Sequence, residues 1–515
     1  MIGQSLPEYY FIRTCILGLR LVAPVSAGYL LACAATGSII LSPVLLAVAA
    51  CEASFYVVYF FRRRRLNRTP PPIPPRLTRA GRRQLFKKCA SQLTEDYPSG
   101  WFLPPNSVIQ RENLTEWILW ALFATTPEHA SPEWEEEIDE YIATVEESLG
   151  RKVEPGRAPG VQSLRLSFDP IHTLHRPLIW YMIVGLVDTL TSVLLLSLGF
   201  KHYSPPGFFR AFPPRPILSL FSKRAANPYF PYWYRPPRGD HTKNPIVFLH
   251  GIGIGLHPYV PLFRELLRAD PTQSIVLIEL LPVSMRITSP MPSRWKTLEA
   301  INNILSDLQI DKVTLAAHSY GTFLAAHIVS PPPDAESTGD PALTLNRRVA
   351  ALVLIDPIPL LLHLPTVAHN FLYRSPGTRR ANEWQLWYFA SRDADVARVL
   401  GRCFFWEEGC IWREDLRRFS AAEGGRRVSV VLGGADQIVP SAEVRAYLTG
   451  DEAEVGEWAR AGGGSERWVN RSGLLQVFWF AGLDHATVFE TKERRKTLMR
   501  ALEPYRASYG AVDGI

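Results

Sequence analysis

A serine, a histidine and a carboxylate can together cleave an ester, provided that a sharp turn exposes the serine hydroxyl and the imidazole is held in one tautomer. Ser319 stands in Val313-Thr314-Leu315-Ala316-Ala317-His318-Ser319-Tyr320-Gly321-Thr322, where an apolar run of strand character ends and an apolar helical run, Phe323 to Val329, begins. The chain must turn tightly there, and bulky side chains two residues either side of the serine would strike the neighbouring strand and helix. Those positions hold Ala317 and Gly321. Glycine at both is the commoner arrangement, but alanine still meets the steric demand. A small-x-Ser-x-Gly string arises by chance, and a buried turn serine is the bland alternative. The strand before Ser319 and the helix after it point instead to a nucleophile.

The partners follow along the chain. Val428 to Leu432 reads as a strand, Gly433-Gly434 as a turn, and Asp436 as an acid at the strand's carboxyl end, placed to orient an imidazole. Asp356, which ends the preceding strand at Leu354-Ile355-Asp356-Pro357, is the alternative acid. Asp436 is favoured because its strand immediately precedes the one leading to His485. Phe480-Ala481-Gly482-Leu483-Asp484-His485 closes the last strand and delivers the base; Asp484 beside it reads as a surface or loop-capping acid.

Upstream, Ile246-Val247-Phe248-Leu249-His250-Gly251-Ile252-Gly253-Ile254-Gly255 is a strand entering a histidine-glycine loop. An oxyanion needs fixed backbone donors, and glycines let the backbone come close. The candidate donors are the amides of Ile252, secondarily Gly253, and Tyr320. The rival is a dinucleotide-binding turn, with Glu279 as the acid ending the next strand. Against it, the third glycine falls at Gly255 while Leu256 stands where the fingerprint needs one, and the serine turn has no place in that account.

The His-Gly loop, the serine turn, Asp436 and His485, in that order on βα units, resemble the α/β-hydrolase superfamily over roughly residues 243 to 505. Within it, the Leu354-Ile355-Asp356-Pro357 region and its aromatic continuation resemble membrane-tethered serine hydrolases of fungi. The resemblance implies the fold, the triad roles and cofactor-free, metal-free ester cleavage. The same superfamily includes acyltransferases and inactive members. A membrane acyltransferase using the same triad and a non-catalytic scaffold are therefore the alternatives, the intact triad arguing against the second.

These residues need a scaffold, and the texture from Pro245 onward supplies one. Ile246 to Leu249, Ser274 to Leu280, Val313 to Ala317, Val349 to Ile355, Val428 to Leu432 and Leu474 to Phe480 read as strands separated by amphipathic segments. That pattern predicts an α/β fold with a mostly parallel sheet covered by helices, occupying 241–515. The interval 357–425 is too long for a simple crossover and reads as an inserted helical lid. Its first 63 residues, to Phe419, hold eleven aromatic side chains, which favours a lipid-like or other apolar acyl ester; packing of the lid's own core accounts for a share of them.

Residues 1–61 read as a membrane anchor of one or two spans, with no charge from Leu21 to Cys51 and a turn near Gly37-Ser38. Residues 62–106 read as a basic and proline-rich linker, with a stiff extended run at 70–75. Residues 107–240 read as a helical region, with Trp134, Ile138, Tyr141, Val145 and Leu149 on one helix face and a second apolar run, 178–200, broken only by Asp188. The 515-residue chain is 47% apolar and 20% charged with a formal net charge of +7. Eleven Lys or Arg and no Asp or Glu between Arg62 and Thr94 more than account for that excess. A basic tract beside an apolar segment fits anionic headgroups, not nucleic acid, and the positive-inside rule puts it in the cytosol. The expected location is an intracellular membrane with a cytosolic catalytic domain, the segment 178–200 lying in the interface. The sequons Asn113-Leu114-Thr115 and Asn470-Arg471-Ser472 would report the opposite topology through glycan on Asn470. Six cysteines without metal-ligand spacing read as free thiols, although Cys403 and Cys410 could pair.

Overall fold

A strand covered on both faces needs apolar side chains at every position, not alternate ones. The run Ile275–Ile278, with all four residues fully buried, shows the consequence. The computed structural model describes residues 3–68, 77–91, 99–207, 210–239, 243–332, 334–422, 424–450 and 456–503; the proline run at 70–75 lies outside them. Among the described residues the central sheet has eleven strands. They are β1 (Lys201–Ser204), β2 (Lys223–Arg224), β3 (Tyr232–Arg235), β4 (Ile246–Leu249), β5 (Ile275–Ile278) and β6 (Val313–His318), followed by β7 (Val349–Ile355), β8 (Arg427–Gly433), β9 (Gly456–Gly462), β10 (Ser465–Asn470) and β11 (Leu475–Phe480). Their spatial order is β9-β10-β11-β8-β7-β6-β4-β5-β3-β1-β2.

The six apolar runs form the parallel centre, β4 to β8 and β11, each within two residues of its expected bounds. Five strands were not expected. β9 and β10 are an antiparallel hairpin on one edge; toward the other edge β3 runs antiparallel to β5, β1 antiparallel to β3, and β2 parallel to β1. β1 and β3 are four-residue strands of polar and aromatic side chains, Lys-His-Tyr-Ser and Tyr-Trp-Tyr-Arg, and carry no clean apolar period even though β3 is largely buried. The sheet consequently begins at Lys201, inside the stretch 107–240 that the sequence reads as helical.

The N-terminal region departs from its reading in a second way. α1 (Leu6–Thr36) and α2 (Pro43–Leu66) form a helical hairpin; Gly37, at φ 63°, ends the first helix, and the Ser42 hydroxyl caps the second. α2 runs on through Arg62 to Arg65, and residues 79–90 are a helix, α3 (Arg79–Ala90), rather than linker. α3 packs on the acidic helix α5 (Glu135–Leu149), which follows α4 (Arg111–Phe123). Buried Arg82 meets Glu137 at 2.6 Å, while Arg79 and Arg83 meet Glu136 and Glu140. Arg62 grips Asp395 of the lid at 2.6 and 2.7 Å. Part of the basic tract is thus neutralised inside the protein. An arginine facing an acidic helix from another element is invisible to a count along the chain.

The expected apolar face of α5 forms, with Ile138, Tyr141 and Val145 buried and Trp134 and Leu149 packed against the same core. That core runs without interruption from Leu85 and Trp117 to Val247, Tyr320 and Leu362, so the N-terminal layer, the lid and the sheet share it. A second core lies on the sheet's other face. It reaches α6 (Leu178–Ser197) through Leu194, Leu195 and the capping Leu198. α1, α2 and α6 are each long and apolar enough to cross a membrane, but the apolar window of α6 is 33% buried against 11% for the other two. Cys403 and Cys410 are not joined by a disulfide.

Candidate active site

Parallel neighbours end at the same edge of a sheet, so the loops after β4, β6, β7, β8 and β11 converge on one place. Ser319 follows β6 with φ 51° and ψ −120°, and its amide donates to the carbonyl of Ile355 at 3.0 Å. This turn is affordable only beside small residues. A Cβ on Gly321 would lie 2.2 Å from the carbonyl oxygen of Leu249, whereas the methyl of Ala317 is accommodated, fully buried. Helix Tyr320–Val329 begins immediately afterwards.

His485 places Nε2 2.8 Å from the Ser319 hydroxyl and Nδ1 2.7 Å from Oδ2 of Asp436. With Nδ1–H donating to the carboxylate, the Nε2 lone pair faces the serine. The other oxygen of Asp436 accepts the amides of Ile438 and Val439, at 2.7 and 2.9 Å. Burial depresses the imidazole, but Asp436, with further help from Asp356 and Asp484, more than offsets this and holds His485 at about 9.

Asp356 sits at φ 44° after β7 and accepts the amide of Ala486 at 2.7 Å; its carboxylate lies 3.5 Å from Nε2 of His318. Burial works against its charge, but His318, His485 and that amide outweigh burial and hold it below its ordinary value. The two candidate acids are therefore both at the site, with Asp436 bonded to the imidazole and Asp356 bonded to the backbone that follows it. His318 in turn accepts from the Tyr259 hydroxyl at 2.8 Å, which accepts the Gly251 amide at 3.2 Å. Asp484 caps its loop, and more: it accepts the amides of His485 and Gln437 and the side-chain amides of Gln437 and the lid's Asn382.

The glycine loop is pinned by His250. Its Nε2 accepts the amide of Leu280 at 2.9 Å, so Nδ1 carries the proton and donates to the carbonyl of Gly251 at 2.7 Å. Burial keeps this ring neutral by pushing it down to about 4. Of the three candidate oxyanion donors, Gly253 is spent, because its amide donates to Val283 at 3.1 Å. Ile252 and Tyr320 line the cavity at Ser319, and their amides have no acceptor among the described residues. Glu279, the acid of the dinucleotide alternative, is consumed by Arg215, His202 and the Trp233 indole.

Asp356, Asp436 and His485 each bring one possible metal-ligand atom within 4.8 Å of the others. Those atoms are already committed to the hydrogen bonds just described, and the imidazole has no nitrogen to spare. The set fits proton transfer better than coordination.

Lid residues Leu362, Phe371, Leu372, Phe404 and Trp406 roof the Ser319 cavity. Its opposite wall is Trp101, Trp120 and Leu166, from the N-terminal layer. Sequence reasoning missed these three. Trp101 and Trp120 donate their indole N–H to the His363 carbonyl and the Ser167 hydroxyl, contacts far apart in sequence that no local pattern announces. The His318–Tyr259 relay was missed too, although His318 adjoins the serine.

Residues 246–495 match the family described as the alpha/beta hydrolase family. A parallel sheet with the serine turn at the end of a central strand and the histidine after the last one defines an α/β-hydrolase domain, and the chain carries a domain of that superfamily. No curated protein matches the sequence. Among solved structures, a bacterial membrane phospholipase A is 14% identical, aligned over 63% of this chain and 93% of that one with a TM-score of 0.37. A carboxylesterase structure from Nitrososphaera gargenis is 17% identical over 53% and 94%, with a TM-score of 0.33. Naproxen esterase from Bacillus subtilis is 12% identical over 54% and 90%, with a TM-score of 0.31.

Proposed function

We propose that the protein is a membrane-anchored serine hydrolase that cleaves esters of apolar acyl groups. The observation that carries this reading is the continuous line of hydrogen bonds from Ser319 through His485 to Asp436, opening onto a cavity walled by aromatic and aliphatic side chains. As Ser319 Oγ attacks the ester carbonyl carbon, its proton passes to Nε2 of His485, and the carbonyl oxygen becomes an oxyanion facing the amides of Ile252 and Tyr320. The C–O bond to the alcohol breaks, and the alcohol leaves with the proton from His485. Water then repeats the sequence on the acyl-enzyme, releasing the acid and restoring the serine. Asp436 keeps the proton on Nδ1, and Asp356 and Asp484 hold the loop that carries the ring.

The cavity at Ser319 measures about 50 Å³, far below the roughly 300 Å³ at which ligand pockets begin. An acyl chain therefore enters only when the lid separates from Trp101 and Trp120. Two π-type turns, His369–Tyr373 and Leu386–Ser391, lie in the lid, and Phe371 and Leu372 of the first line the cavity.

The hairpin α1–α2 brings the chain back to the side it left, and α6 packs one face on the hydrolase core. In this reading the catalytic domain stays on the side of the basic tract, the cytosolic face of an internal membrane. The decisive test is a fluorophosphonate probe on membranes containing the full chain. Wild type is expected to label and Ser319→Ala is not; equal labelling of the two discards the serine mechanism.

A further inference from the structure

A cavity larger than the one at Ser319 lies elsewhere in the protein. About 490 Å³ in volume, it lies beside β1 and α7 (Pro216–Phe221) and shares no lining residue with the serine chamber. Among the described residues no Asp or Glu lines it, while Arg210, Arg215, Lys223 and Arg224 do. The carboxylates that meet the lining Arg215 are already spent. Asp188 and Glu279 both bind Arg215, at 2.8 and 2.7 Å, and Asp188 also binds Arg286 at 2.9 Å. Two acids against two arginines leave that cluster neutral. Among the described residues Arg210, Lys223 and Arg224 have no carboxylate partner, and Lys223 and Arg224 are exposed. Tyr229 adds a hydroxyl with no hydrogen-bond partner among those residues.

The walls of this cavity also say what else the ligand carries. Leu218, Ser219 and Ser222 belong to the cavity, while Ile217, Leu220 and Phe221 of the same segment are 47, 81 and 63% exposed. α7 touches α6, whose outward row, including Met182, Leu186, Leu190 and Val193, is exposed as well. A cationic hollow thus adjoins an apolar surface that is uncovered. A free anion would satisfy the hollow and leave the apolar rows bare.

We propose that this cavity binds the phosphate of an anionic phospholipid whose acyl chains lie over the exposed faces of α7 and α6. Arginine and lysine donors suit phosphate oxygens, and three uncompensated cations suit a doubly ionisable phosphomonoester better than a zwitterionic headgroup. The inference rests on the membrane reading of α6 and is independent of the serine chemistry.

The test is calorimetric titration of the full chain in non-ionic detergent, carrying Ser319→Ala so that turnover cannot mimic release. Dioctanoyl phosphatidic acid is expected to bind saturably, with dioctanoyl phosphatidylcholine at least about tenfold weaker. Lys223→Gln combined with Arg224→Gln is expected to weaken the phosphatidic acid about tenfold or more, while the control Arg471→Gln leaves it unchanged. If the double variant elutes as aggregate, Arg224→Gln alone replaces it, with the same direction expected. Equal binding of both lipids, an unchanged pocket variant, or an equal loss in the control overturns the proposal. Full displacement by equimolar inorganic phosphate overturns it too, and assigns the cavity to a soluble anion. Because Ser319 plays no part, these outcomes stand apart from the fluorophosphonate result.

Discussion

Holding Ser319 at positive φ costs on the order of 1–3 kcal/mol, and the neighbouring glycine and hydrogen bonds make the cost bearable. What this secures is a hydroxyl facing an imidazole whose basicity is set by its acids. Only neutral His485 can accept the serine proton. Because its pKa is raised, activity is lost as pH falls through it and fully present above it. The expected kcat/KM profile therefore climbs through the alkaline range with its midpoint near 9, well above that of an ordinary histidine. Asp436→Asn removes the charge and, with the retained oxygen held by the amides of Ile438 and Val439, turns an NH2 instead of an acceptor toward Nδ1 of His485. It should move that midpoint down and cut kcat roughly 10³–10⁴-fold while far-UV dichroism is unchanged. Asp356→Asn removes charge only, so a downward shift with a much smaller loss of kcat is expected. If Asp356→Asn proves the more damaging, the orienting acid lies on β7.

At the scale of elements, the chamber is a contact between the lid and a layer formed before the sheet begins. That arrangement makes acyl length a property of the wall as much as of the triad. Esters of medium or long chains should outpace acetyl esters in a series at fixed alcohol, and a maximum at acetate would contradict the apolar chamber. Trp120→Leu shortens the wall without emptying it, and should move the preferred chain length upward. An unmoved optimum would take Trp120 out of the acyl path. The lid is also tied to the α1–α2 hairpin. Ile12 and Ile16 of α1 share a small core with Ala381 and Tyr388, and the Arg13 guanidinium lies 3.7 Å from the centre of the Trp384 ring. Separation of the lid from Trp101 and Trp120 therefore has to be worked against α1 as well as against the sheet.

For the whole molecule, the open question at the sequence level was α6, whose crossing would place the active site on the opposite side. A lone Asp at mid-span costs about 2.5–3.5 kcal/mol. Here Asp188 instead turns toward the domain and meets Arg215 and Arg286, and Thr191 meets His257. Burying the exposed row is worth about 1.5–3 kcal/mol for each large side chain, which suits a helix lying in the interface. In the folded domain the side chains of Asn113 and Asn470 are buried and hydrogen-bonded, so a glycan on either would have to displace those bonds. A protease site inserted at the Gly463–Gly464 turn, where a Cβ at Gly464 meets nothing within 4 Å, is the better reporter. In intact microsomes it should be cut by added protease. Protection until detergent is added would put the domain in the lumen.

Local features of the chain settled the parallel strands and the tight serine turn, because each depends on neighbours only a few residues away. An apolar run must be covered on both faces, and a serine between a strand and a helix needs Gly321 where the Leu249 carbonyl passes. The alternation-free runs and the order of Ser319, Asp436 and His485 were legible for the same reason. Other features arose only when distant segments met. Strands β1, β3, β9 and β10, outside the parallel centre, take their conformation from a partner, not from a period. Gly253 looked as available as Ile252 until Val283 claimed its amide. Arg62 and Arg82 counted as membrane-facing charge until Asp395 and Glu137 stood opposite them. Trp101 and Trp120 became walls of the serine chamber through a core shared across more than two hundred residues of sequence, and a contact of that kind leaves no local trace.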